Sequence, residues 1–74
     1  MVQAFVLIQA GVGMVGQAVG AIQGVRSADI VTGPYDVVAR VEAASIDALG
    51  RLVVSKIQAV EGITRTLTCP VVRL

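Results

Sequence analysis

Residues 2–9 limit the possible folds of this chain more than any other stretch. β-Branched and aromatic residues run here for about the length of an ordinary strand before the first glycine, which predicts a β-strand. The four residues from Phe5 to Ile8 are all apolar, so both faces of that strand are apolar. In a small antiparallel domain one face of the sheet normally meets water. Something other than the chain's own helices must therefore cover the second face.

The size and composition of the chain lead to the same expectation. It has 74 residues, near the lower limit at which one core is sufficient without disulfides or metal. With Cys69 as the single cysteine and no histidine, an intramolecular disulfide is impossible and a zinc site would lack its usual ligands. Hydrophobic residues make up 55% of the chain, more than a small monomer can bury. Self-association is therefore expected.

The charges argue against a nucleic-acid partner. Six basic and five acidic residues are scattered along the chain and give a net charge of +1, so no basic patch is expected. The first 25 residues carry no charge, but four glutamines and five glycines interrupt them, and no basic residue precedes the apolar run. We expect a soluble, cytoplasmic protein that neither spans a membrane nor binds DNA directly.

The rest of the chain predicts two helices and three further strands. Apolar residues at helical spacing predict helices over 13–23, with Gly24 as its C-terminal cap, and over 45–59. The predicted strands are 25–32, 35–43 and 63–69, with a hairpin turn at Gly33-Pro34 and with Pro70 suited to an edge strand. With right-handed crossovers, the order βαββαβ gives a ferredoxin-like plait, an α+β fold in which two helices cover one face of a four-stranded antiparallel sheet. A second subunit covering the other face would make a dimeric α+β barrel.

Three local contacts are also predicted. Ser45 is a good N-cap for the second helix. Asp47 and Arg51 are four residues apart on that helix and should pair. Arg40 and Glu42 lie on the outward face of strand 35–43, which predicts ion pairs within the sheet or across an interface.

Two sequence patterns could mark a functional site: GxGxxG at residues 11–16, and Tyr35 with Asp36 beside the hairpin turn. Neither pattern favours an enzyme. Residues 11–16 spell GxGxxG between a strand and a helix, as in dinucleotide-binding folds, but only one further strand-helix unit follows, so a glycine-rich packing turn is favoured. There is no histidine, Cys69 has no nearby base in sequence, and the serines lie in no nucleophile motif. We therefore predict no catalytic residue, cofactor or metal. Tyr35 and Asp36, beside the hairpin turn, form a plausible contact point for a small ligand.

Three segments together resemble a known family. Strand 4–8, the hairpin Thr32-Gly33-Pro34-Tyr35-Asp36 and the ending 57–66 are similar to the effector-binding (RAM) domain of the Lrp/AsnC transcriptional regulators. The likeness covers essentially the whole chain, and the hairpin followed by Gly62-Ile63-Thr64-Arg65-Thr66 is its most specific part. Full-length members carry a helix-turn-helix ahead of this domain. Because the chain starts directly at strand 1, residues 1–74 are expected to form a single stand-alone ligand-binding domain.

The resemblance implies how such a chain assembles and what it binds. Domains of this family pair through their sheets into dimers, assemble into tetramers or octamer-like rings, and bind effectors, typically amino acids, between dimers. Mixed oligomers with full-length regulators are a further implied partnership. Carried over by position, the residues that would line the effector pocket are Gly33, Pro34, Tyr35, Asp36, Thr64 and Thr66.

The chemistry of these residues suits an amino acid. Its ammonium group would meet Asp36, and its carboxylate would meet hydroxyls and the N–H groups of Gly33 and Tyr35, since Pro34 has none. Thr64 and Thr66 are also ordinary residues of an exposed strand face.

Two other classes of function stay open on the sequence. The same βαββαβ subunit builds small dimeric α+β barrel enzymes, such as cofactor-independent monooxygenases and isomerases, which hold substrate between sheet and helices. The lack of histidine and of aromatics beyond Phe5 and Tyr35 argues against that class. A structural oligomerisation module with no ligand is the third interpretation.

Overall fold

All four predicted strands and both predicted helices are present in the computed structural model of the chain, which describes residues 1–11 and 14–73. The elements in chain order are β1 (Val2–Ala10), α1 (Val15–Gly20), β2 (Val25–Ile30), β3 (Val37–Ala43), α2 (Ile46–Leu52), a π-helical turn (Val53–Ile57) that continues α2, and β4 (Ile63–Pro70). This is the predicted βαββαβ order.

The four strands form one antiparallel sheet in the order β2-β3-β1-β4. β1 lies in the middle, bonded to β3 on one side and to β4 on the other. Pro70 is the last residue of the edge strand β4, where a residue without an N–H is tolerated, as predicted. The ferredoxin-like fold is therefore confirmed. No helix in the described part of the chain is long and apolar enough to cross a membrane.

The core lies on one face of the sheet. Because side chains alternate along a strand, every second residue of the two central strands points to the same side. On β1 these residues are Ala4, Val6 and Ile8, all fully buried. They pack with Val37, Ala39 and Val41 of β3, Val15 and Val19 of α1, Leu49 of α2, and Val53 and Ile57 of the π-helical turn. Both helices therefore cover this face, as the periodicity predicts.

The opposite face of the sheet is called the open face here. At its centre lie the residues that alternate with the core residues along the strands. Strand register sets Leu7 between Val38 and Leu67, and Phe5 between Arg40 and Cys69. No element of the described chain covers these residues, and Phe5 and Leu67 keep 43% and 47% of their surface exposed. The second apolar face of β1 is thus left uncovered within one chain.

α1 is shorter than predicted. It ends at Gly20, and the chain then turns through residues 21–24 into β2. Gly24 belongs to that turn and is not the helix cap: its φ is +99°, and its carbonyl accepts the N–H of Glu42 at 2.9 Å. Only glycine adopts this backbone conformation without strain. Interior glycines weaken a helix, which agrees with the early end of α1.

α2 begins as predicted but does not continue as a regular helix. The Ser45 hydroxyl accepts the N–H of Ala48 at 3.1 Å, which confirms the N-cap. From Val53 the helix widens into a π turn, in which the N–H of Gln58 donates to the carbonyl of Val53, five residues back, at 2.8 Å. The predicted pair between Asp47 and Arg51 is not formed.

The predicted ion pair at Glu42 is confirmed, with Arg26 as the partner and not Arg40. Arg26 Nε lies 2.9 Å from Glu42 Oε1, and the amide of Gln3 donates to Oε2 of the same carboxylate at 3.2 Å. Arg73 in turn donates to Gln3 Oε1 at 3.0 Å. One end of the sheet is therefore tied together from β2 to the segment that follows β4.

Replacing Ser45 with alanine should lower the free energy of unfolding by about 1 kcal/mol, because the Ala48 N–H loses its acceptor. Urea unfolding at one fixed protein concentration measures the change. Ser55→Ala, at an exposed position of the π-helical turn, is the matched control and should shift stability much less. Equal losses in both variants would contradict a specific capping role.

Candidate ligand-binding site

The loop between β2 and β3 is longer than the predicted tight turn. Six residues, 31–36, separate Ile30 from Val37, and the N–H of Val31 donates to the carbonyl of Asp36 at 2.9 Å to close the loop. Gly33 has a φ of +139°, which an L side chain rarely adopts, and a Cβ there would meet no atom within 4 Å. The need for glycine at this position is therefore a matter of backbone conformation.

Asp36 fastens this loop to the end of β1. Its N–H donates to the carbonyl of Ile8 at 2.8 Å, and its Oδ2 accepts the N–H of Ala10 at 2.9 Å. The Asp36–Ala10 bond is partly buried. Oδ2 of Asp36, a predicted ligand contact, is therefore occupied by a hydrogen bond within the fold. Oδ1 accepts no hydrogen bond from the described residues.

Gln9 connects the loop to the start of β4. Its side-chain amide donates to the carbonyl of Pro34 at 3.4 Å, and its own carbonyl accepts the hydroxyl of Thr64 at 3.1 Å. Beside it, the N–H of Gly11 donates to the carbonyl of Gly62 at 2.9 Å. The hairpin loop and Thr64 therefore lie at the same end of the sheet, on either side of β1.

The sequence suggests an exposed strand face for Thr64 and Thr66, but Thr66 lies with Thr68 on the helix side of β4. Register sets Thr66 beside Ile8 and Thr68 beside Val6, both core residues. The Thr66 hydroxyl accepts the side-chain amide of Gln58 at 2.9 Å. Gln58 directly follows the π-helical turn, so that turn determines where its amide lies.

The six predicted site residues do not share one pocket within a single chain. One cleft of about 280 Å³ includes Asp36; its lining is Ala10, Gly11, Val15, Gly16, Ile30, Val31, Asp36 and Val37. A second cleft of about 270 Å³ is lined by Gln58, Ile63, Thr64, Arg65 and Thr66. Gly33, Pro34 and Tyr35 line neither of these two clefts.

The glycine-rich segment borders the first of these clefts. Val12 and Gly13 of the GxGxxG pattern lie outside the described residues. A Cβ at Gly16 would approach Ile30 Cγ1 at 3.2 Å, tighter than ordinary contact. This close approach to β2 is what the predicted packing role requires.

Sequence reasoning missed Gln9, Gln58 and Arg65 at this end of the sheet. Gln9 is the polar residue that ends the apolar run of β1. That position in the sequence could have marked it as a candidate polar contact. Gln58 could not be placed, because a regular helix would have turned it elsewhere. Among the described residues, no group of three side chains has the composition and spacing to hold a metal ion.

The fold and these polar groups define a class of protein: a small domain of ferredoxin-like fold with a cluster of polar groups at the hairpin end of the sheet. Residues 3–74 match the family model of the Lrp/AsnC ligand binding domain. The chain belongs to this family.

Solved structures agree with this assignment. TTHA0845 from Thermus thermophilus is 36% identical, with a TM-score of 0.90 over 100% of this chain and 96% of that one. E. coli AsnC is 27% identical, with a TM-score of 0.89 over 99% of this chain and 52% of AsnC. A feast or famine regulatory protein from M. tuberculosis, complexed with L-methionine, shares the fold at 24% identity and a TM-score of 0.86, over 100% of this chain and 52% of that one. No curated protein sequence matches significantly.

Replacing Asp36 with alanine should destabilise the fold by roughly 1–3 kcal/mol, because the partly buried N–H of Ala10 would lose its acceptor. Asp36→Asn keeps an acceptor oxygen and should recover most of that loss. Urea unfolding of both variants measures the difference. If alanine and asparagine cost the same, the bond to Ala10 does not hold the loop.

Proposed function

We propose that this chain is a regulatory module that binds a free amino acid and changes its assembly in response. Its membership of the Lrp/AsnC ligand-binding family carries the proposal. The E. coli AsnC neighbour and the methionine-bound M. tuberculosis regulator support a regulatory role and an amino acid as the class of ligand. These relatives favour a regulator over an enzyme.

The contacts of the hairpin loop suit an α-amino acid. Oδ1 of Asp36 can accept a hydrogen bond from the ammonium group while Oδ2 holds Ala10. The N–H groups of Gly33 and Tyr35 donate to no acceptor among the described residues and can serve the carboxylate. The hydroxyls of Thr64 and Thr66 add polar contacts beside β4.

The complete site is proposed to need more than one chain. Asp36 and the threonines border separate clefts within one chain, so a ligand that contacts both groups would require a neighbouring subunit to bring them together. We place that contact between dimers, at the hairpin end. Binding there shifts the assembly only as far as the amino acid prefers one assembly state over another.

Two copies are proposed to pair through the open face. Phe5, Leu7, Val38 and Leu67 form an apolar centre there, and Arg40 lies beside it. Apolar surface of this kind favours burial against a second copy. Dimers would then join into tetramers, octamers or rings.

Regulation of transcription would be indirect in this proposal. Residues 1–74 would act as one ligand-binding domain, and mixed oligomers with full-length members of the family would carry the signal to DNA. A protein of this kind needs no cofactor or metal.

Isothermal titration against the standard amino acids tests the ligand assignment. The wild type should bind at least one of them, and Asp36→Asn should bind it about tenfold more weakly or worse, because the negative charge facing the ammonium is lost. Asparagine keeps the bond to Ala10, so the loss would report on the charge and not on the fold.

Asp47→Asn removes an exposed carboxylate from α2 and serves as the control, with unchanged affinity expected. Equal binding by the wild type and Asp36→Asn would contradict the role of Asp36. A wild type that binds no amino acid would contradict the proposed function itself.

A further inference from the structure

Arg40 brings a positive charge to the apolar centre of the open face. Its neighbour on β1 in the strand register is Phe5, and its side chain is exposed in a single chain. When a second copy covers this face, as proposed above, Arg40 is removed from water together with the apolar residues around it. A charge at a buried interface is unfavourable unless an opposite charge and hydrogen bonds replace the water. The covering surface must therefore supply an acid.

The acid on the same strand as Arg40 is already occupied. Glu42 borders the same cleft of the open face, of about 350 Å³. Its Oε1 lies 2.9 Å from Arg26 Nε, and its Oε2 accepts the side-chain amide of Gln3 at 3.2 Å. Arg40 forms no salt bridge with any of the described residues. The sequence predicts ion pairs for Arg40 and Glu42, and only that of Glu42 is found within one chain.

Asp29 is an acid that the open face leaves without a partner. Its strand neighbours lie on the helix side, since Ala28 packs against the core and Ile30 lies next to Gly16. Alternation therefore turns Asp29 to the open face, and the register sets it beside Val38. Asp29 is exposed and forms no salt bridge with any of the described residues.

The other acids of the chain lie away from this surface. Asp36 holds the hairpin loop to β1, Asp47 is in the first turn of α2, and Glu61 lies in the turn before β4. The open face of a second copy therefore offers Arg40 one uncommitted carboxylate, that of Asp29.

The two charges are placed so that a symmetric pair of copies can bring them together. Phe5 and Arg40 form one row across the strands of the open face. Leu7, Val38 and Asp29 form the next row. A two-fold axis that crosses the strands between these rows sets each strand over its own copy and exchanges the rows.

In that arrangement Arg40 faces Val38 of the partner subunit, and Asp29 of the partner subunit is one strand further along. With packed sheets about 10 Å apart and neighbouring strands about 4.8 Å apart, the backbones of the two charged residues are about 11 Å from each other. Arginine and aspartate side chains that extend towards each other span this distance.

A two-fold axis along the strands gives no such match. Placed near the middle of the sheet, it sets β3 of one copy over β1 or β4 of the other, and neither of these strands has an acidic residue. Arg40 would then be removed from water without a partner, which is costly. The charges of the open face therefore favour the axis that crosses the strands.

We propose that Arg40 of one copy pairs with Asp29 of the other across the open face, and that this ion pair, formed twice, sets how two copies pack. The assignment rests on the proposed function, because it identifies the contact that orients the proposed dimer. A chain that lacks one of the charges would leave the other unpaired at the interface, so the pair also selects which chains can join.

Mixing two charge variants tests whether the pair joins two chains. Arg40→Asp gives each open face two acids, and Asp29→Lys gives it two bases. A homodimer of either variant has two like-charge contacts, and a heterodimer of the two variants has two opposite-charge contacts. Native mass spectrometry at micromolar concentration separates these dimers by mass, for each variant alone and for an equal mixture.

Each variant alone should dimerise about tenfold more weakly than the wild type, or worse, because like charges across an interface repel. The mixture should recover dimers, with the heterodimer as the main species. A double variant that carries both Asp29→Lys and Arg40→Asp restores opposite charges and should form homodimers as the wild type does.

The matched control places the same two substitutions on the helix side. Asp47→Lys and Arg51→Asp change exposed residues of α2 that are away from the open face. Each should dimerise as the wild type does, and their equal mixture should give homodimers and heterodimers in random proportion.

A mixture of the open-face variants that forms heterodimers only in random proportion overturns the assignment. So does a mixture that stays monomeric while the double variant dimerises, because the two charges would then pair within one chain. If the double variant is monomeric as well, no Arg40–Asp29 pair supports the dimer. None of these results depends on amino-acid binding, so they leave the ligand assignment standing, whereas a monomeric wild type overturns the proposed pairing through the open face and this ion pair with it.

Discussion

The structure depends on one constraint: β1 is apolar on both faces, but one chain has helices for only one of them. Ala4, Val6 and Ile8 are fully buried beneath α1, α2 and the π-helical turn. On the other side, Phe5 and Leu7 point to the open face with Leu67 and Val38. Apolar surface exposed in this way costs free energy that a second copy would recover. The apolar residues that β1 places on the open face are therefore the physical reason for the proposed assembly.

The end of the same strand organises the candidate site. The end of β1 and the residue that follows it, residues 8–11, form hydrogen bonds on both sides. They bond to Asp36 on one side and to Gly62 and Thr64 on the other. The hairpin loop and the start of β4 are therefore held against a common support, although they are far apart in sequence. A ligand that moves the loop would act directly on the last residues of the central strand, which is a short route from binding to the sheet that is proposed to form the dimer.

Much of the fold could be predicted because its signals are local. Alternation along 35–43 placed Arg40 and Glu42 on the outward face, and the intervening residues Val37, Ala39 and Val41 are indeed buried. The Ser45 cap needs only the three residues that follow it. The features that were missed depend on distant contacts. Asp36 lengthens the hairpin loop by bonding to Ile8 and Ala10, and the π turn at 53–57 places Gln58 over Thr66. The exposed Asp47–Arg51 pair failed for another reason: such pairs contribute little and solvent competes for both groups.

The central claim is that a second copy covers the open face, and native mass spectrometry tests it most directly. The proteins are the wild type, Phe5→Glu and Val54→Glu, measured at micromolar concentration with and without the bound amino acid. Val54 is 63% exposed on the π-helical turn and serves as the matched control. The account predicts dimers or multiples of dimers for the wild type and Val54→Glu, a distribution among them that shifts with the amino acid, and monomers for Phe5→Glu. A monomeric wild type, or a Phe5→Glu variant that assembles as the wild type does, would contradict it.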